Sequence, residues 1–337
     1  MRPGGNPPDG RVAMLTAFAA GNGVDLAPDE AALRAATWID LSTASEAEIG
    51  LVERATGLHV PSLANLSEIE NSSRLATVGE ALYLSMPWLV GVAGGAPRTS
   101  VLGFVLTRDR VITVRFGESQ VMRTFVEHLP GRFGGSCGSV HVFAGLLEAI
   151  VDRFADMLEE IGANLDHASA TIFDTRTGTG HRPRMEDRKL RVLLRAVGQA
   201  GDTVSRLRDS LLAVGRIIHY VATTAEAWVP SDLHARLHTL RQDVQSLMEH
   251  DGFLTNKIQF LLDATLGFIS IAQNNIIKVL TVVSVVGVPP TLVASIYGMN
   301  FKTMPELEWA YGYPYGLAMI VLSAVVPLVW FRLRGWL

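Results

Sequence analysis

Close to the C-terminus two stretches carry no charged residue, Val279 to Phe301 and Trp309 to Phe331. Each exceeds the roughly 20 residues that a helix needs to cross about 30 Å of hydrocarbon. The connection between them is short, so the pair is expected to form a helical hairpin with both ends on one side of a membrane. Lys278 precedes the first span and Arg332 and Arg334 follow the second, while Lys302 in the connection is outweighed by Glu306 and Glu308. Basic residues collect on the cytoplasmic side of membrane spans, which predicts cytoplasmic termini and an external loop.

Upstream of the hairpin the chain reads as soluble. The N-terminal MRPGGNPPDGRVAM is rich in proline and glycine and has no apolar core of the signal-peptide kind, so the domain that follows is expected to stay in the cytoplasm. At 337 residues there is room for a large soluble core, and a net charge of -4 argues against a nucleic-acid partner. The single cysteine, Cys137 in RFGGSCGS, excludes a disulfide framework or a cysteine metal cluster within one chain. That stretch also lacks the lysine of a phosphate-cradling loop. Between Trp38 and Trp228 no nucleophile, acid–base pair or cofactor motif stands out, and no enzymatic activity is expected.

Apolar patterning divides the chain further. Residues 1–36 read as a flexible N-terminal segment. In residues 37–138, Trp38 to Leu41, Ala81 to Met86, Val101 to Leu106 and Val111 to Phe116 have strand character. Ser45 to Thr56 reads as a helix opened by a capping box of Ser45 and Glu48. Residues 139–230 turn to helical periodicity with dense charge, as two long amphipathic helices from about Val140 to Asp174 and Met185 to Trp228. A third helix starts after Pro230, with Ser231 as the expected cap and Asp232 suited to the positive helix end. Nothing stops it before Tyr297 except Pro289 and Pro290. The predicted order is therefore an α+β cytoplasmic domain with a mixed sheet and long helices, a very long stalk helix at 231–298 that becomes the first span at about 276–298, an external loop at 299–312, a second span at 313–332 and a basic tail at 333–337.

A heptad frame laid on the first span aligns Asn274, Ile277, Thr281, Ser284, Val288, Thr291, Ser295 and Gly298. Most of these are small or polar, whereas Val279, Val282, Val283, Val286, Leu292 and Val293 suit lipid or the second helix. Such a stripe serves either close helix packing or a water-filled path. Extended backwards, the line meets Ser270, Gly267 and Asp263, which would put a carboxylate at the cytoplasmic mouth. Two spans cannot enclose water alone, so a path requires an oligomer, in which Ile277, Leu280 and Val288 would form apolar collars that gate by dewetting.

YGMNF at Tyr297 to Phe301, MPEL at Met304 to Leu307 and GYP at Gly312 to Pro314 together resemble the signature of the CorA family of magnesium and cobalt channels. The similarity extends through QNNIIKVLTVVSVVGVPPTLVASIYGMN and the basic, tryptophan-containing end FRLRGWL. The resemblance implies a funnel-shaped homopentamer in the bacterial inner membrane. Its first span would line the pore, with Gly298, Met299 and Asn300 as external filter, Asn274 and Thr291 as polar rings and Ile277, Leu280 and Val288 as constriction. Isoleucine and valine stand here at constriction positions where some relatives carry methionine.

Magnesium suits these residues. It dehydrates reluctantly, and amides, hydroxyls and carbonyls from Asn274 to Asn300 can accept hydrogen bonds from its water shell, through an opening of about 7 Å. Glu306 and Glu308 would concentrate cations at the mouth. A divalent ion moving down about 100 mV gains about 4.6 kcal/mol, over a thousandfold in concentration, so a passive channel for magnesium, with cobalt and nickel as further cargo, suffices and needs an internal brake. Magnesium bridging carboxylates at cytoplasmic subunit interfaces would supply it, with Glu68, Glu70, Asp243, Glu249 and Asp251 as candidates and no other cofactor. The alternatives are a zinc transporter of the same superfamily, against which the intact MPEL argues, and a sensor merely tethered by its hairpin.

Overall fold

The computed structural model describes residues 15–19, 24–25, 28–67, 74–90, 98–117, 119–132, 138–173, 187–299, 304–305 and 309–336. Two compact units emerge, one of Met1–Arg182 and Val192–Leu261, which holds the sheet, and the other of Pro183–Arg191 and Leu262–Leu337.

The first unit is built on a mixed seven-stranded sheet: β1 (Leu15–Phe18), β2 (Val24–Asp25), β3 (Trp38–Ser42), β4 (Leu75–Val78), β5 (Ala81–Val90), β6 (Arg98–Leu106) and β7 (Val111–Arg115). Their order is β2-β1-β3-β7-β6-β5-β4. Among the described strands only β3 and β7 pair in parallel, with Trp38 opposite Val111 and Ser42 opposite Arg115. The four strands expected from the sequence are present, and three are added. β1 and β2, with helix α1 (Glu30–Ala35), fall in the stretch expected to be flexible. β1 pairs antiparallel to β3, Leu15 opposite Leu41, and buries Leu15, Ala17 and Phe18. Four residues alternate too briefly to be read as a strand without the partner that completes them.

Because strand side chains alternate between faces, β3 divides its residues between two cores. Ile39 and Leu41 join Ile112, Val114 and Leu15 in an apolar cluster with Leu33 of α1 and Val52 of α2 (Glu46–Thr56). The capping box of α2 forms as predicted, the Glu48 N–H donating to Ser45 Oγ at 3.4 Å and the Ser45 N–H to Glu48 Oε2 at 2.8 Å. On the other face Trp38 stacks on Phe18 at 4.2 Å and meets Phe125 of α4 (Gln120–Arg132) edge-on. The Trp38 indole N–H donates to Thr113 Oγ1 at 3.1 Å, and that hydroxyl donates to Asp40 Oδ1 at 2.6 Å. Arg115 closes the chain with its N–H groups on Asp40 at 2.9 and 3.1 Å. A short helix, α3 (Leu63–Leu66), completes the connections.

The same face is covered by α5 (Ser139–Phe173), whose Phe143 packs edge-on to Phe104 and whose Phe154 meets Trp88. α6 (Asp187–Thr224) and the first part of α7 (Ser231–Tyr297) pack with α5 as long antisolvent faces of Leu, Ile and Val. Polar contacts tie α5 to α7 at defined heights: ion pairs of Arg236 with Glu148 through two bonds of 2.8 and 3.0 Å and of Lys257 with Asp166 at 2.6 Å, and a contact of His141 Nε2 with Asp232 Oδ2 at 3.2 Å. The predicted cap is displaced, since α7 starts at Ser231 itself and the Leu233 N–H donates to the Pro230 carbonyl.

α7 is a single helix of 67 residues that passes Pro289 and Pro290 without ending. Its last part and α8 (Gly312–Leu333) belong to the second unit, and both are long and apolar enough to cross a membrane.

Candidate ion-conduction site

The part of α7 in the second unit has two unlike sides. Val282, Val286, Pro289, Pro290, Val293 and Tyr297 are half-buried, and at about 100° per residue they share one side of the helix. The predicted stripe lies opposite. Asn274, Ile277, Ser284, Val288, Thr291, Ser295 and Gly298 are exposed, as is Asp263 further back, and only Thr281 at the stripe's edge is half-buried. α8 likewise has one covered side, of Gly316, Ile320, Ser323, Ala324, Pro327 and the buried Phe331.

The two threonine hydroxyls of the stripe are already donors. Thr281 gives its proton to the Ile277 carbonyl at 2.8 Å and Thr291 to that of Gly287 at 2.9 Å. A hydroxyl oxygen whose proton is engaged keeps its lone pairs as acceptors, and acceptors are what the outward-pointing hydrogens of a cation's water shell require. At the end of α7 the Gly298 N–H donates to Ala294 O at 3.0 Å and the Met299 N–H to Ile296 O at 3.2 Å. A methyl on Gly298 would stand 3.3 Å from the Ala294 carbonyl oxygen, tight for a carbon. Asn300, Glu306 and Glu308 lie outside the described residues.

Aromatic side chains gather at both ends of α8. Trp309 contacts Tyr311 and Tyr315 at one end. At the other, Arg334 lies 5.4 Å from the Trp330 ring centroid and Lys278 of α7 lies 5.9 Å from that of Trp336. Indoles, phenols and basic residues at the two ends of an apolar helix mark the two membrane–water boundaries. A glycine followed by tryptophan just past a helix is a local sequence signal for such a closure.

Residues 34–333 match the model of the family described as CorA-like Mg2+ transporter protein. The chain belongs to that family. Its members are membrane transporters, not enzymes. The chain is similar to the magnesium transport protein CorA of Haemophilus influenzae, 29% identical over 326 residues, which cover 96% of this chain and all of the relative. The CorA of Pasteurella multocida is 30% identical with the same coverage. In fold, the CorA magnesium transporter of Methanocaldococcus jannaschii superposes with a TM-score of 0.75 at 18% identity, covering 96% of this chain and 99% of the other.

A CorA-family protein directs attention to its soluble acids, and the five predicted regulators differ in placement. Glu68 and Glu70 lie outside the described residues. Asp243 is exposed at the rim of an open groove of about 280 Å3 that Glu148 and Arg236 also line. Glu249 is exposed and accepts from Gln245 at 3.2 Å. Asp251 does not fit the expectation of a carboxylate facing a neighbouring subunit. It is fully buried within its own chain, and Arg208 of α6 donates to its Oδ2 at 2.7 Å. Its Oδ1 has no hydrogen-bond partner. Burial pushes the Asp251 carboxyl above its ordinary value, and the Arg208 guanidinium offsets part of that rise. Position in a charged helical stretch hid this, because the helix turns Asp251 toward α6 while Glu249 faces out. Among the described residues of one chain no three acidic, histidine or cysteine side chains converge as a metal site.

Proposed function

We propose that five copies of this chain form a channel through which hydrated magnesium flows passively into the cell, driven by the membrane potential. The observation that carries this reading is the stripe on α7, mostly small or polar and, Thr281 apart, exposed, on the side of the helix away from its covered face. Polar groups are disfavoured against lipid and belong on an interior or water-filled side. Five stripes facing an axis give such a side, with Gly298, Met299 and Asn300 as external filter, Asn274, Thr281, Ser284, Thr291 and Ser295 as acceptor rings, and Asp263 at the inner mouth. Ile277, Leu280 and Val288 form the collars that close by dewetting.

The stripe from Asn274 to Gly298 carries no charge, so a hydrated ion is held by its waters and released readily. The same chemistry admits cobalt and nickel, whose hydrated ions have comparable size. Glu306 and Glu308 concentrate cations outside. Inside, magnesium bridging carboxylates between subunits closes the path, with Asp243 and Glu249 as the exposed candidates beside Glu68 and Glu70. The arrangement fits the inner membrane of a bacterium, both termini cytoplasmic, with the Lys278, Arg332 and Arg334 end inside.

The test is flux into liposomes holding purified protein under an imposed inside-negative potential. Magnesium influx that scales with potential, persists without a proton gradient and falls as internal magnesium rises is the expected result. Zinc carried in preference to magnesium, or flux that requires a proton gradient, overturns the reading in favour of a zinc or coupled transporter.

A further inference from the structure

The turn at the end of α8 is a built feature of the second unit that the filter, the polar rings and the collars do not use. Gly335 takes a left-handed φ of 69°, open to glycine at little strain. Its N–H donates to the Arg332 carbonyl and the Trp336 N–H donates to the Phe331 carbonyl, at 3.1 and 3.0 Å. These are the paired bonds of a glycine-closed helix end, and they come with the expected apolar contact. Trp336 folds back on Phe331 with ring centroids 5.3 Å apart, and Phe331 is only 2% exposed. The other indole, Trp330, takes Arg334. The Trp336 ring is thereby left to the Lys278 ammonium at 5.9 Å, within the reach of a cation–π attraction.

Lys278 directly follows Ile277, so it leaves α7 about 100° round the helix from a proposed collar residue. Its stem is long and flexible, and a free ammonium there could swing to the conducting side. One such charge per copy beside the collar would repel a doubly charged ion. We propose that Trp336 is a positioning residue for ion passage: its indole face tethers the Lys278 charge on the flank of α7, clear of the path, and the Gly335 turn holds the indole in place. This rests on the reading that α7 lines the conduit.

Liposome flux with the full-length protein tests it. Trp336→Leu keeps an apolar contact on Phe331 but has no π face, and magnesium influx is expected to fall roughly two- to tenfold, less so at high salt. In a Lys278→Gln background the same change is expected to have no effect. A fluorinated tryptophan at position 336 preserves shape while weakening the ring's negative face, so it reads the tether even if the leucine variant fails to assemble, and it too should slow influx. Equal losses with and without Lys278 reduce Trp336 to packing, and unchanged flux with the fluorinated ring overturns the tether. Asn300→Ala in the same liposomes separates the two ideas. If it is dead and the Trp336 variants are normal, only the tether fails; if it conducts normally, the conduit assignment itself has failed.

Discussion

In the sheet unit Trp38, Phe104 and Ile112 are wholly covered by their own chain, whereas Ile277, Leu280 and Val288 in the membrane unit are 59%, 65% and 62% exposed. The sheet unit draws its stability from removing such side chains from water, worth about 1.5–3 kcal/mol each. The membrane unit cannot, because lipid is as apolar as the side chains that would leave it. Its exposed residues acquire an environment only from lipid and from other copies. Substitutions should therefore register as lost folding in one unit and as lost transport in the other.

The sharpest separation is expected at Asn300. Asn300→Ala should reduce magnesium influx to the level of empty liposomes while assembly and unfolding stay unchanged, since the sheet unit's core is built from other residues. A variant that transports normally, or one that fails to assemble, would break the division between the units.

The opposite pattern is expected at Asp40. Its carboxylate takes the Thr113 hydroxyl and two N–H groups of Arg115 in a nearly dry site, and Asp40→Ala leaves the largely covered guanidinium with the Gly117 carbonyl and no counter-charge. Removing one partner of such a pair costs about 3–5 kcal/mol. Denaturant unfolding should show that loss, and a change below about 1 kcal/mol would mean that water solvates Arg115 after all.

Within the membrane unit the contrast between the two sides of α7 predicts accessibility. Cysteines at Ser284, Thr291 and Ser295 on a Cys137→Ser background should react with a water-soluble thiol reagent on the order of ten times faster than cysteines at Val282, Val286 and Val293, which face the polar-excluded side. Thr281, half-buried at the stripe's edge, should fall between them. Equal rates at all positions would show that the stripe serves packing.

A smaller, severalfold effect is expected on the soluble helices. Millimolar magnesium should slow their limited proteolysis, and a chelator should restore it, because an ion bridging subunits stabilises the state that binds it. Glu249→Gln and Asp243→Asn should weaken the protection. Cleavage indifferent to magnesium, with currents that ignore internal magnesium, would leave the collar at Ile277 to Val288 without its proposed control.

Much of this organisation is visible in the sequence because its signals are local. The capping box of Ser45 and Glu48 needs four consecutive residues, the hairpin needs only two uncharged runs, and the stripe needs only the period of one helix. What stayed hidden depends on partners far along the chain. β1 becomes a strand only beside β3, the Trp38, Thr113, Asp40 and Arg115 chain joins residues over 70 positions apart, and Lys278 meets Trp336 only once α8 has turned back. Asp251 is the instructive case. Its neighbourhood in sequence is that of a solvated helix face, and only the packing of α6 on α7 takes it out of water.

That burial predicts the smallest effect, a pH dependence. Arg208 satisfies Oδ2 of Asp251, Oδ1 has no partner, and the carboxyl is pushed above its ordinary value near 3.8 chiefly by burial, with Arg208 and His250 opposing. A raised carboxyl value means that the native state binds its proton more tightly than the unfolded chain does. Stability from this group is therefore full below about pH 3.8 and declines as pH rises through the interval up to the raised native value. Asp251→Asn keeps the shape and an acceptor for Arg208 but does not titrate, so its unfolding midpoint should gain on the parent's as pH rises from the acid end of that interval, by a fraction of the Asp40 effect. Other carboxylates titrate in the same range, but they are common to both proteins and cancel in the difference. Measured in chelator, so that no bound magnesium intervenes, a difference that tilts toward the variant with rising pH assigns the site to the soluble core. Parallel curves would mean that Asp251 is hydrated, and a difference that favours the parent with rising pH would mean that Arg208 outweighs burial and that the charged pair stabilises the bundle.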